Sequence, residues 1–212
     1  MVKLTRHIPN SMTLFNIAVG LASIMLTLSG EYEKAAGMII VSVIVDTFDG
    51  YVARLFNSTS RFGVYMDTVS DFLSFGIAAP LLMVRTFDVS LLVACFFTLS
   101  SAFRLVYFVR TKNPKFFYGL PSTVAGGFLA TLAILKPHLP LPVWVLMFLL
   151  SLMMLSRIKY YRLDLRSKRT LSMILAVFMY LFVLDLMLAV NAVMATFLGY
   201  ILFGWLKIKE VK

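Results

Sequence analysis

The sequence predicts an all-α, polytopic integral membrane protein: a six-helix core followed by two C-terminal transmembrane helices, about eight in total. Three observations carry that expectation. Hydrophobic residues fill 60% of the 212 positions and charged residues only 14%, and the mean hydropathy of +0.90 lies outside the soluble globular range. Several apolar windows exceed the length of about eighteen residues needed to cross a bilayer. Lysine and arginine gather in short clusters between those windows, so the net charge of +10 reads as membrane topology and not as a nucleic-acid-binding patch.

Met1 to His7 is short and basic, and the apolar run after it lacks a small-residue cleavage site, so that run is expected to stay as the first span. Pro9 to Thr13 opens this span, residues 11–29, which stops at Ser29-Gly30. The loop Glu31 to Glu33 precedes a second span, 35–56, and residues 57–62 lead to Gly63. A third helix is expected from Met66 to Arg85 and a fourth span over 89–109. Gly119-Leu120-Pro121 introduces a fifth, ending at Leu135, and Pro137, Pro140 and Pro142 break the chain before a sixth over 143–156. The basic stretch Arg157 to Arg169 separates it from two last spans, 171–189 and 192–206, joined by a turn at Val190-Asn191. The chain 1–212 is thus read as one membrane domain, with six helices in 1–169 and two more with a basic tail in 170–212. Of its 20 lysines and arginines, Lys34, Arg85 and Lys136 fall on one side of these spans and the other 17 on the opposite side. The positive-inside rule then places both termini on the cytoplasmic side of a cell membrane. Cys95, the one cysteine, excludes an internal disulfide and is expected to be a small packing residue.

Chemistry concentrates between residues 46 and 71, where four of the ten acidic residues lie. Asp46 follows the apolar run Gly37 to Val45, a place where a carboxylate is costly and usually functional. Asp46, Asp49, Gly50 and Ala53 share a helical face, two carboxylates beside two very small residues, so something must approach that face closely. Asp67 and Asp71, four apart, project from one face of the next helix, and the short loop between brings both pairs to one membrane surface. Four converging carboxylates repel one another unless a cation joins them. With only oxygen donors and neither His7, His138 nor Cys95 nearby, that cation is expected to be Mg²⁺ or Mn²⁺, completed by water and substrate phosphate. Arg54 stands ready for such a phosphate.

The pattern D-x2-D-G-x2-A-R-x8-G-x3-D-x3-D, complete in this sequence, resembles the signature of the CDP-alcohol phosphatidyltransferase family. The resemblance implies transfer of a phosphatidyl group from a CDP-linked lipid to an alcohol, with release of CMP. It assigns Asp46, Asp49 and Asp67 to the metal, and Asp71 to the metal or to removal of the acceptor's proton. Gly50 and Ala53 would admit the cytidine, and Gly63 a close backbone approach. Ser70-Asp71-Phe72-Leu73-Ser74-Phe75-Gly76, with Phe103-Arg104-Leu105, Phe117 to Pro121, Leu155 to Tyr160 and Pro9 to Asn16, resembles the phosphatidylserine-synthase branch. L-Serine is the acceptor this implies, CDP-diacylglycerol or CDP-archaeol the donor, and a homodimer the assembly. Ala79-Pro80, Thr123 and Tyr161 depart from that branch's pattern and bear on the acceptor.

Outside the motif, Arg104, Arg110 and Lys112 are candidates for the acceptor carboxylate or a phosphate, with an arginine snorkelling to the interface as the alternative for Arg104. Thr13 and Asn16 share a face near the same surface and either bind the CDP-lipid or bond between helices. Asp185 has no evident partner. Two other functions remain open at this point. One keeps the reaction but uses glycerol 3-phosphate or an inositol phosphate as acceptor. The other is a divalent-cation transporter, which calls for midplane acidic groups and inverted repeats that the sequence does not display.

Overall fold

In hydrocarbon every backbone N–H and C=O must find a partner within its own segment, so the apolar runs of this chain form helices. The computed structural model describes residues 7–55, 61–111, 116–136, 142–161 and 186–203. Helix α1 (His7–Leu28) lies along α2 (Tyr32–Leu55). Helix α3 (Arg61–Asp71) continues without a break through a π-helical segment, Phe72–Ala78, into α4 (Ala79–Phe87). The expected third helix is therefore one rod with a widened stretch in its middle. Then come α5 (Leu91–Thr111), α6 (Ser122–Leu135), α7 (Val143–Leu155) and α8 (Leu186–Phe203).

Among the described residues three helices are long and apolar enough to cross a membrane: Ser11–Leu28, Gly63–Phe87 and Leu91–Arg110. With 14 and 13 residues, α6 and α7 reach only about 20 Å at ~1.5 Å per residue, short of the ~30 Å hydrocarbon core. The expected seventh span falls almost wholly on 162–185, outside the described residues. The expected turn at Val190-Asn191 is corrected: both residues lie inside α8. Neither is glycine or proline, and their modest helix propensities give an apolar helix no reason to stop.

One departure from an all-α reading is a small antiparallel ribbon of β1 (Phe116–Tyr118) and β2 (Lys159–Tyr161), with Phe117 opposite Tyr160. It ties the α5–α6 connection to the end of α7. Gly119, at φ +75°, makes the turn out of β1, and its N–H donates to the Ile158 carbonyl at 2.8 Å. A side chain there would run into the Met154 carbonyl oxygen.

Helix α6 is the inner element, with Ala125 to Ala133 buried throughout and α2, α4 and α8 around it. Close approach is achieved with small residues, the usual device where no hydrophobic force draws helices together. Gly20 of α1 lies under Ser74, Gly126 under Phe75, and Gly127 under Phe197 of α8. Phe75, Phe97, Ile39, Leu82 and Met147 fill the interior. Leu14, Phe15, Leu21 and Met25 on α1, with Leu91, Leu92, Leu99 and Phe103 on α5, turn outward as an apolar surface.

Candidate active site

Asp46 stands on α2, and Asp67 and Asp71 stand one turn apart on α3. Each offers a carboxylate oxygen, and the three oxygens lie within 4.8 Å of one another. The Asp46 and Asp71 carboxyls are within hydrogen-bonding reach of each other, which they tolerate by sharing a proton or with a cation between them. Asp49 sits beside this trio and is held differently: it is 6% exposed and its Oδ2 accepts a 2.6 Å hydrogen bond from the Thr13 hydroxyl of α1.

The position of Asp71 depends on the π-helical segment that begins at the next residue. Such widened turns recur at functional sites. Here it is clamped from four sides. Ser42 of α2 donates to Ser74 at 3.1 Å, Gly20 admits Ser74 from α1, Gly126 admits Phe75 from α6, and Gly76 lies against Ser101 of α5.

Arg104 of α5 is buried, with 7% of its surface exposed. Its Nη1 donates to Ser122 Oγ at 2.9 Å, its guanidinium stands 5.7 Å from the centre of the Phe108 ring, and Asp71 and Asp46 lie close by. It turns inward rather than snorkelling to the interface. Ser122 and Thr123 open α6 behind Pro121, and the Thr123 hydroxyl lies within hydrogen-bonding reach of Asp46, so the positive end of this helix faces the acidic cluster.

The expected site residues divide accordingly. Asp46, Asp67, Asp71 and Arg104 converge, with Asp49 and Thr13 bonded together alongside. Asn16 is buried one turn further along the Thr13 face of α1. Gly63 is half-buried on the first turn of α3. Gly50, Ala53 and Arg54 lie on the last turns of α2, whose side chains are outside the described part, as are Lys112 and Asp185. Arg110 is exposed, six residues beyond Arg104 and so turned roughly 240° from it at ~100° per residue. Thr123, Ser122 and Tyr200, a neighbour of Arg104 on α8, were not expected at the site. Thr123 had one visible signal, its departure from the branch pattern.

The donor set fits a hard divalent cation. All its ligands are oxygens, the buried Asp71 Oδ1 has no hydrogen-bond partner among the described residues, and two positive charges with that of Arg104 would match the three carboxylates.

A helical membrane bundle with an oxygen-only carboxylate cluster and a buried arginine at one end of its spans suits a class of membrane enzymes that hold a divalent metal against a phosphate ester. A sequence profile of the CDP-alcohol phosphatidyltransferase family matches residues 6–205, and the chain belongs to that family. Members of this family are metal-dependent. Similar curated proteins include a CDP-diacylglycerol–serine O-phosphatidyltransferase of Methanocaldococcus jannaschii, 34% identical over 86% of this chain and 83% of that protein. An archaetidylserine synthase of Methanothermobacter thermautotrophicus is 32% identical over 74% of this chain and 70% of its own. A CDP-diacylglycerol–serine O-phosphatidyltransferase of Helicobacter pylori is 33% identical over 55% of this chain, and the match spans about half of that relative, 53%.

Proposed function

We propose that the protein transfers the phosphatidyl or archaetidyl group of a CDP-activated lipid to the hydroxyl of L-serine and releases CMP. The observation that carries this is the meeting of Asp46, Asp67 and Asp71 beside a buried, inward-turned arginine, in a chain whose relatives bear serine-transferase names. Asp46, Asp67 and Asp71, with Asp49 alongside, would hold Mg²⁺ or Mn²⁺, which when bound neutralises the diphosphate and the charge that develops on it.

The other steps belong to the side chains. Arg104 holds the acceptor's carboxylate, a pairing that suits a guanidinium fixed by Ser122. Asp71 takes the proton from the serine hydroxyl as the new oxygen–phosphorus bond forms and the bond to the CMP oxygen breaks. Its unpartnered Oδ1 supports that role. Thr13 keeps Asp49 in place, and the buried Asn16, whose Oδ1 has no partner among the described residues, supports a polar donor contact on α1. Gly50, Ala53, Arg54 and Gly63 complete the CDP side, and Arg110 and Lys112 serve lipid phosphate at the surface. The distribution of lysine and arginine supports eight spans with both termini and the site cytoplasmic. The outward apolar faces of α1 and α5 suit lipid or a second copy of the chain in a homodimer.

CMP release by purified protein tests the reading, with CDP-diacylglycerol or CDP-archaeol as donor and L-serine, glycerol 3-phosphate or inositol 1-phosphate as acceptor. Serine-selective, metal-dependent release that disappears in Asp71→Asn is expected. Release only with a phosphorylated acceptor would overturn serine while leaving the metal site standing.

A further inference from the structure

A serine or threonine inside a helix commonly returns its hydroxyl proton to a carbonyl three or four residues back on the same helix. Thr27, Ser100, Thr131 and Ser151 do so here. Ser42 does not. Its Oγ donates across the bundle to Ser74 Oγ at 3.1 Å, joining α2 to the π-helical segment, and both residues are fully buried. Behind Ser74 stands Gly20 of α1, where a Cβ would come within 2.5 Å of the Ser74 hydroxyl oxygen and 3.4 Å of its Cα. The α1 backbone thus backs the hydroxyl and leaves it no space on that side.

Ser42 lies one turn before Asp46, and Ser74 three residues after Asp71. The serine bond therefore sits about one helical turn, ~5 Å, beneath the place where the two carboxyls meet. Asp46 with Asp71 and Ser42 with Ser74 also show that α2 and the rod of α3 and its π segment run antiparallel. One contact between two rigid helices leaves a pivot; two contacts a turn apart fix their separation and their relative rotation.

We infer that Ser42 and Ser74 are positioning residues that set the width of the carboxylate cluster and, with it, the size of cation the cluster takes. The three carboxylates come from two elements, Asp46 from α2 and Asp67 and Asp71 from α3, so the gap between those elements determines the fit of an ion. Mg²⁺ demands a near-octahedral set of oxygens at about 2.0–2.1 Å, whereas Ca²⁺ accepts looser sets at about 2.3–2.6 Å. A hydrogen bond that pins α2 against the π segment favours the small ion. Its loss lets the gap widen and removes the penalty on the larger one.

This inference rests on the reading of the cluster as a metal site, and the test separates the two. Mn²⁺ binding to purified protein in detergent is followed by the loss of the free-ion electron paramagnetic resonance signal, with Mg²⁺ and Ca²⁺ as competitors, so no turnover is needed. In Ser42→Ala the dissociation constant for Mg²⁺ is expected to rise about tenfold, the lower end of what supporting hydrogen bonds contribute to metal affinity, while that for Ca²⁺ stays within about twofold. Ser74→Ala should do the same, and the double variant no more than either single one, because both substitutions remove one bond. A residue that only supports the fold would lower the melting temperature and weaken both ions alike, leaving their ratio where it was. Ser42→Cys, close in size but a weaker donor, gives a second reading should the alanine variants fold poorly. An unchanged Mg²⁺-to-Ca²⁺ ratio in folded variants overturns the positioning role and leaves the metal site standing. No Mn²⁺ bound by the wild type, or binding undiminished in Asp67→Asn, overturns the metal reading and this inference with it.

Discussion

Substituting Gly126 by alanine inserts one methyl group between the helix that carries Thr123 and the π-helical segment that follows Asp71. The new Cβ would stand 2.8 Å from Phe75 Cβ, 2.9 Å from its Cδ1 and 3.1 Å from its Cα. Ordinary carbon contacts need ~3.5–4.0 Å, so α6 and the π segment must separate by about 1 Å. Two of the three atoms are Phe75 Cα and Cβ, which move only with the backbone, so a rotamer change gives no relief. Overpacking of this kind costs about 1–3 kcal/mol. The same displacement acts on the site, since Thr123 is three residues before Gly126 and Asp71 four before Phe75. A ~1 Å misplacement of reacting groups costs on the order of 10²-fold in rate. A lowered melting temperature in detergent and a kcat/KM for CMP release about two orders of magnitude below wild type are expected. Gly126→Ala protein with wild-type melting and turnover within about twofold would refute the claim that this contact sets the distance between α6 and the carboxylates.

Other outcomes follow from single contacts. A chelator should abolish CMP release, and Mg²⁺ or Mn²⁺ should restore it; activity that persists in exhaustively stripped protein would exclude a metal role for the Asp46, Asp67 and Asp71 cluster. Thr13→Val removes the 2.6 Å bond to the buried Asp49 and should destabilise the fold by about 1.5–3 kcal/mol, read as a shifted thermal melt; an unshifted melt would mean that water replaces the hydroxyl. Gly119→Ala combines a strained positive φ with a collision at the Met154 carbonyl and should melt earlier than Gly126→Ala, with a protease nick near the ribbon as the direct sign.

Most of the site was legible in the sequence because its residues repeat at helical spacing. Asp67 and Asp71 one turn apart on α3, and Asp46 at the end of an apolar run, need only a short connection to meet. Arg104 was legible for a related reason: a lone cation inside an apolar helix has few places to go. The π-helical segment was not. Phe72 to Ala78 has the composition of any apolar helix, and its widened turn is maintained by Gly20, Ser42, Ser101 and Gly126, which come from four other helices. The ribbon escaped because three-residue strands carry no periodicity and their partner lies some forty residues away. Thr123 and Tyr200 look like ordinary helix residues until α6 and α8 are set beside α2 and α5. The misplaced turn at Val190-Asn191 came from dividing one apolar stretch at a polar residue where no helix breaker stands.

The clamped segment after Asp71 also bears on how the protein is made. All three clustered carboxylates lie within the first 71 residues, whereas Arg104 and Thr123 emerge later. At about 5–20 residues per second, the 52 positions from Asp71 to Thr123 take roughly 3–10 s to synthesise. Throughout that interval α2 and α3 carry their acidic groups without the arginine, the threonine hydroxyl or the helix end that later face them. Unmatched charge of this kind is driven out of hydrocarbon, so the nascent pair should ride high, with its carboxylate ends in the headgroup water, and sink to its final depth only when α5 and α6 arrive. The carboxylate cluster thus settles only after α5 and α6 have arrived, and a ribosome-bound intermediate stalled before α5 should leave Asp67 and Asp71 reachable by a water-borne probe.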